Sequence, residues 1–281
     1  MKTLCEHLYE SLLDISDVET NVEPIVMIDN WCKDNIGGNY TIDKKTLAIN
    51  SSSTITITDE NLVELPSYIH FGVVKRDFYC VQCTSLESLV GFPKEVGGDF
   101  YCVQCTSLKS LEGAPEKVGG SFYCNNCDSL KSLEGCPEKV GRDFCCNYCD
   151  SLESFKGAPK EVGRDFYCNG CPSLKSLEGA PEKVSKGFSC VDCASLKSLK
   201  GAPKEVGRDF YCSACPSLES LEGAPKEVGK GFYCDSCTSL KSLKGAPEKV
   251  GGDFYCSNCT SLKSLEGIST HIKGKIYSNI Q

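Results

Sequence analysis

Tryptophan, methionine and histidine are nearly missing from this chain: one, two and three copies respectively in 281 residues. His7, His70 and His271 are too few and too far apart in sequence to suggest a catalytic triad or a histidine-built metal centre. Apolar runs are short as well. None approaches the 18 or more residues of a membrane span, and the opening MKTLCEHLYESLLD carries acids where a secretory leader needs an unbroken apolar stretch. Positive charge is in deficit, with 30 Lys and Arg against 38 Asp and Glu, a net charge of -8. Nucleic acid and anionic membrane both reward basic surfaces, so neither is an expected partner. No phosphate-loop or dinucleotide-binding glycine motif follows a strand and opens a helix. The abundant carboxylates recur periodically, which offers no unique pair tuned apart as acid and base. These absences lead to the expectation of a non-enzymatic protein without a cofactor, held in a reducing cytoplasm.

The sequence is rich in glycine (26) and cysteine (22), and both follow a period. The unit V-G-G-D-F-Y-C-x-x-C-x-S-L-x-S-L-x-G-A-P-x-x recurs with its phenylalanine at Phe78, Phe100, Phe122, Phe144, Phe166, Phe188, Phe210, Phe232 and Phe254, always 22 residues apart. An unbroken period of this length means one coil per repeat, each stacked on the last. F-Y-C reads as a short strand, with Phe100 and Cys102 on one face and Tyr101 on the other. Further inward positions are Cys105, Leu108, Leu111 and Val118. Glycine and proline after Leu111 break any 3.6-residue periodicity, so the back of each coil is expected to be turn or short 3₁₀ structure.

This register resembles the leucine-rich-repeat pattern L-x-x-L-x-L-x-x-N/C-x-L over residues 74–280, with Phe and Cys where Leu is usual and one extra residue after the second cysteine. The resemblance implies a β-rich solenoid: a leucine-rich-repeat-like stack of short parallel strands. The opening MKTL…ESLLD is also similar to the starts of uncharacterised proteins of tailed phages and gut bacteria that carry such repeats, which implies a host-cytoplasmic or virion setting. Residues 1–50 form an expected α/β cap or docking segment. It holds a helix over about 2–14 carrying Leu4, Leu8 and Leu12, a second helix including Ile25, Ile28, Trp31 and Cys32, and a hairpin from Tyr40-Thr41-Ile42 to Leu47-Ala48-Ile49. Residues 51–73 read as a degenerate entry coil around Ile55-Thr56-Ile57, 74–271 as nine repeats, and 272–281 as a closing strand that has lost its cysteines.

Nine C-x-x-C pairs run from Cys80/Cys83 to Cys256/Cys259. Inward placement makes them two vertical ladders of small, buried, apolar residues, while zinc knuckles and thiol chemistry stay open as alternatives. Cys145 replaces a tyrosine at an outward position and is the candidate exposed thiol. The candidate interaction face is the outward column Tyr79, Tyr101, Tyr123, Tyr167, Tyr211, Tyr233 and Tyr255, beside the acidic column Asp99, Asp143, Asp165 and Asp209. Aromatic rings with polar tips suit protein recognition, and the acidic strip fits a basic protein or a carbohydrate. The bland alternative is that tyrosines stack only to cover the sheet. Cys145 and Ser189 interrupt the aromatic column; Ser121, Gly187 and Gly231 interrupt the acidic one. The expected role is protein interaction through this face, or else a structural spacer in a larger assembly, or a metal-loaded cysteine protein. The partner and the oligomeric state are not encoded in any motif.

Overall fold

The computed structural model describes residues 24–36 and 39–280. The chain winds into a parallel β-solenoid in which each coil up to Tyr255 contributes one strand to each of two 11-stranded sheets, and the closing coil adds Ile276–Tyr277 to one sheet and a single bridge at Ile272 to the other. One sheet carries the F-Y strands, from Ile55–Ile57 through Phe78–Val81 and Phe100–Val103 to Ile276–Tyr277. Its register is strictly in phase, with Phe144 opposite Phe122 and Phe166, and Cys145 opposite Tyr123 and Tyr167.

The second sheet was not expected. Two-residue strands such as Lys117–Val118 and Glu161–Val162 pair in parallel on the back of each coil, where sequence reading placed only a turn. Two residues are too few to display an alternation, so no periodic signal exists to betray them. Valine enters the core and the Lys or Glu beside it faces water. The remainder of the coil is turn and bend, with no helix in the repeats.

The interior is built from columns. Nine phenylalanines, Phe78 to Phe254, are wholly buried and stack with ring centroids 5.0 to 5.8 Å apart. Leu108, Leu111, Cys102 and Cys105 repeat as further buried columns. Each C-x-x-C turns through a left-handed residue before its second cysteine, such as Gln104 (φ 59°) or Tyr148 (φ 57°). That geometry brings both sulfurs inward. Gly179 at the opposite turn has φ +94°, and a Cβ there would strike the Phe155 carbonyl of the coil below.

The thiols are hydrogen-bond donors as well as filler. Where Asn125 and Asn147 take the backbone N–H of the next coil's Asn147 and Asn169 (both 2.8 Å), the adjoining cysteine carbonyls find sulfur donors instead. Cys149 Sγ donates to the Cys124 carbonyl at 3.2 Å, Cys171 to Cys146 at 3.3 Å and Cys193 to Cys168 at 3.3 Å. Alanine would fill much of the same space and leave those carbonyls unpaired. All described cysteines are free thiols.

The ends differ from the middle. A helix, α1 (Pro24–Asn35), starts on proline and stops just ahead of Gly37-Gly38. Ile28 and Cys32 are buried, and Trp31 meets Phe71 edge-on at 6.4 Å, so α1 covers the first coil of core. Tyr40–Ile42 pairs antiparallel with Ile49–Ser51, a hairpin whose return strand begins at Ile49, two residues later than the expected Leu47. Ile55–Ile57 pairs with Phe78–Cys80, the stagger being 23 residues at this step. At the far end Ile276–Tyr277 pairs with Phe254–Tyr255, yet Ile276 is 43% exposed where every inner Phe is closed off. The helix expected over 2–14 lies outside the described residues.

Candidate functional site

Strand alternation sends Phe and Cys inward and leaves the residue between them on the outer face of the sheet. This lines up the predicted tyrosine column, and its rings meet face to face. Tyr79, Tyr101 and Tyr123 form one stack with centroid spacings of 4.4 and 4.5 Å. Tyr211, Tyr233, Tyr255 and Tyr277 form a second at 4.5, 4.6 and 4.4 Å. Between them stands Tyr167, with Cys145 on one side and Ser189 on the other. Among the described residues no ring stacks across either gap. A ring inside a stack offers a partner only its edge and hydroxyl, so ring faces become available at the breaks.

The aspartates hold the coils together. Asp77 Oδ1 accepts the backbone N–H of Asp99 (2.8 Å), Asp99 that of Ser121 (2.7 Å), Asp143 that of Asp165 (3.1 Å), Asp165 that of Gly187 (2.7 Å) and Asp209 that of Gly231 (2.9 Å). One oxygen of each is therefore committed to the fold. Tyrosine rings lean toward this column: the Tyr101 hydroxyl reaches Asp99 Oδ2 at 3.4 Å, and a Cβ on Gly231 would lie 2.6 Å from the Tyr233 ring. The cover of neighbouring groups and the adjacent Asp99 raise the Tyr101 phenol well above its ordinary value.

Cys145 is not the exposed thiol that its outward position suggested. It is 6% exposed, because a side chain two bonds long sits in a trough between the rings of Tyr123 and Tyr167. Burial, reinforced by Asp143 and Asp165, pushes its pKa up to about 12. A thiol held neutral in this way is a poor nucleophile. Ser189 is similarly sunk, and its hydroxyl donates to Asn169 Oδ1 at 2.6 Å.

Two further columns on this face went unread in the sequence. Arg142, Arg164, Lys186, Arg208 and Lys230 occupy one corner position in five consecutive coils; the first coil has Arg76 there, and Gly98, Gly120 and Gly252 fill it in the others. Their only ion pair among the described residues is a loose one, Arg164 Nε to Asp143 Oδ1 at 3.7 Å. Asn125, Asn147 and Asn169 form the carboxamide ladder described above. Both columns recur at a 22-residue spacing in the sequence, as the Tyr and Asp columns do.

On the second sheet the alternation of P-E-K-V with P-K-E-V has a local purpose. Glu95 pairs with Lys117, Lys139 with Glu161, Lys183 with Glu205 and Glu227 with Lys249, at 2.5 to 2.9 Å. These pairs are solvent-exposed and screened, so they add little to stability. No group of three or more His, Cys, Asp or Glu among the described residues is arranged to hold a metal ion. His70 and His271 lie at opposite ends of the stack, His70 Nε2 being 2.8 Å from the Thr46 carbonyl. No described helix is long and apolar enough to cross a membrane. No protein family, curated protein or solved structure matches this chain.

Proposed function

We propose that the chain is a non-enzymatic binding module whose Tyr/Asp strand face receives a protein partner. The observation that carries this reading is where the repeats differ. Phe, both cysteines and the leucine that follows are the same in all nine coils, whereas the outward positions change. Cys145, Gly187, Ser189 and Gly231 fall within the five consecutive coils that bear the cationic column, and Ser121 lies one coil before it. A face meant only to shield the sheet has no need of them. The likeness of the register to leucine-rich repeats, whose strand faces are the usual binding surface, supports the same face.

Tyrosine supplies large contact area at little entropic cost, and the half-covered Asp and Asn groups around it supply direction. The test is selection of binders from a displayed random-peptide library on the intact protein, followed by affinity measurement on variants. Tyr167→Ala and Tyr211→Ala are expected to weaken the selected binders about tenfold or more. Lys160→Ala and Glu161→Ala, on the opposite sheet, are expected to leave them unchanged. Binders indifferent to both tyrosines, or mapping to the Lys/Glu sheet, would make the solenoid a spacer and the strand face a passive cover.

A further inference from the structure

Resting on that reading, we propose that the gap at Cys145 is a slot for one arginine side chain of the partner, its guanidinium sandwiched between Tyr123 and Tyr167 and met by the carboxylates of Asp143 and Asp165. Consecutive coils lie about 4.8 Å apart, so Tyr123 and Tyr167, two coils apart, stand roughly 9–10 Å apart along the stack. A flat group needs contact distances of about 3.5 Å on either side, so the gap accommodates one planar layer and not two. The intact stacks show the same arrangement filled, with Tyr101 and Tyr123 at 4.5 Å. The thiol of Cys145 forms the floor.

Charge chooses the occupant. Elsewhere in the column a tyrosine leans over the aspartate of its own coil, as Tyr101 does over Asp99 and Tyr255 over Asp253. Cys145 has no ring, so Asp143 loses that cover. Burial is the largest influence holding the Cys145 thiol and the Tyr167 phenol neutral, and the carboxylates of Asp143 and Asp165 add to it in both cases by disfavouring negative charge. A cation is therefore favoured here, and a planar cation can also stack on two aromatic faces. Lysine offers the charge without the plane; tyrosine or a sugar ring offers a plane without the charge.

The chain itself supplies a competitor. Arg164 Nε approaches Asp143 Oδ1 at 3.7 Å, and the Ser121 hydroxyl donates to Asp143 Oδ2 at 3.4 Å. Arg164 thus holds Asp143 only loosely, too far for a short hydrogen bond, on an oxygen that also accepts the Asp165 N–H at 3.1 Å, and an incoming arginine would compete with it for that carboxylate. The Ser189 gap lacks this chemistry, because its own coil has Gly187 in the acidic column and Arg208 acts on the neighbouring Tyr211.

The experiment follows tyrosine ring resonances of the full chain, labelled at tyrosine, during titration with N-acetyl-arginine amide, N-acetyl-lysine amide and N-acetyl-tyrosine amide. Saturable shifts of the Tyr123 and Tyr167 rings with the arginine probe, at least threefold tighter than with the lysine probe, are expected. Cys145→Tyr completes the repeat's own consensus, so it closes the slot without threatening the fold, and it is expected to abolish the effect. Ser189→Tyr is expected to leave it in place. Arg164→Ala is expected to tighten arginine binding two- to fivefold by removing the competitor. Equal response to lysine, preference for the tyrosine probe, or persistence in Cys145→Tyr overturns the slot. Selected peptides that need Tyr167 yet contain no arginine would overturn it while leaving the strand face as the binding surface.

Discussion

Raising the pH is the sharpest test of how the core is held. Ten of the paired thiols, among them Cys102, Cys124, Cys146, Cys168, Cys190, Cys212 and Cys234, are held well above their usual value of 9.0, chiefly by burial and by hydrogen bonds among neighbouring sulfurs. Unfolding returns them to water and to that usual value. Below pH 9 both states hold the protons and the core is at full strength. Above it the unfolded chain binds fewer protons than the folded one, so stability falls as pH rises toward the folded-state pKa values. Each thiol that keeps its proton when folded but loses it when unfolded tilts stability by up to about 1.4 kcal/mol per pH unit, while Cys83 and Cys215, shifted downward by hydrogen bonds from neighbouring thiols, oppose the trend. The solenoid is therefore expected to lose stability progressively as the pH rises above 9 in the absence of oxidation. The assay is urea denaturation followed by circular dichroism at a series of pH values, with a phosphine reductant to keep disulfides from forming. Lysine and tyrosine titrate in the same range, so the decisive comparison is with Cys168→Ala/Cys171→Ala. That variant is weaker at pH 7, yet its loss of stability per pH unit is expected to be smaller by about 1–3 kcal/mol. A stability profile flat from pH 8 to 10, or a slope untouched by removing two thiols, refutes a core of neutral buried thiols.

Three further outcomes follow from the coil geometry. Gly179→Ala places a Cβ against the Phe155 carbonyl at φ +94° and is expected to cost about 1–3 kcal/mol, read from the urea midpoint. Asp165→Ala removes the acceptor of the Gly187 N–H, and that amide is expected to exchange with deuterium at least tenfold faster while amides in distant coils keep their rates. Truncation before Ile272 strips the strand that covers Phe254–Tyr255, and light scattering is expected to show association where the full chain does not; unchanged mass at the same concentration would remove the capping role.

The interior was legible in the sequence because one repeat exposes its own rule nine times. Phe100, Cys102, Cys105, Leu108, Leu111 and Val118 were assigned inward by alternation and spacing, and all are buried. The valine strands were hidden, since two residues cannot display a period of two. Cys145 was misread for a different reason. Outward on a strand does not mean exposed, and a small residue between two large ones is walled in by its neighbours. The hydrogen bonds of Asp99 and Asn147 were invisible because they link residues 22 apart, and only stacking makes those neighbours. The loose contact of Arg164 with Asp143 belongs to the same class.

The side-chain ladders also have a direction. In the bonds from Asp77 to Asp99, Asp165 to Gly187, Asn125 to Asn147 and Asn169 to Val191, the acceptor always belongs to the earlier coil and the N–H to the later one. A chain leaving the ribosome amino end first therefore finishes, at most steps, on a coil whose free acceptors await residues still being made; the coil with Gly187 and Val191 offers neither acceptor. Most coils can be clasped in this way as they emerge, without waiting for the whole protein. The last carboxamide reverses the rule: Asn279 Oδ1 accepts the N–H of Asn258 behind it, a terminator written in the same hydrogen-bond language as the elongation steps.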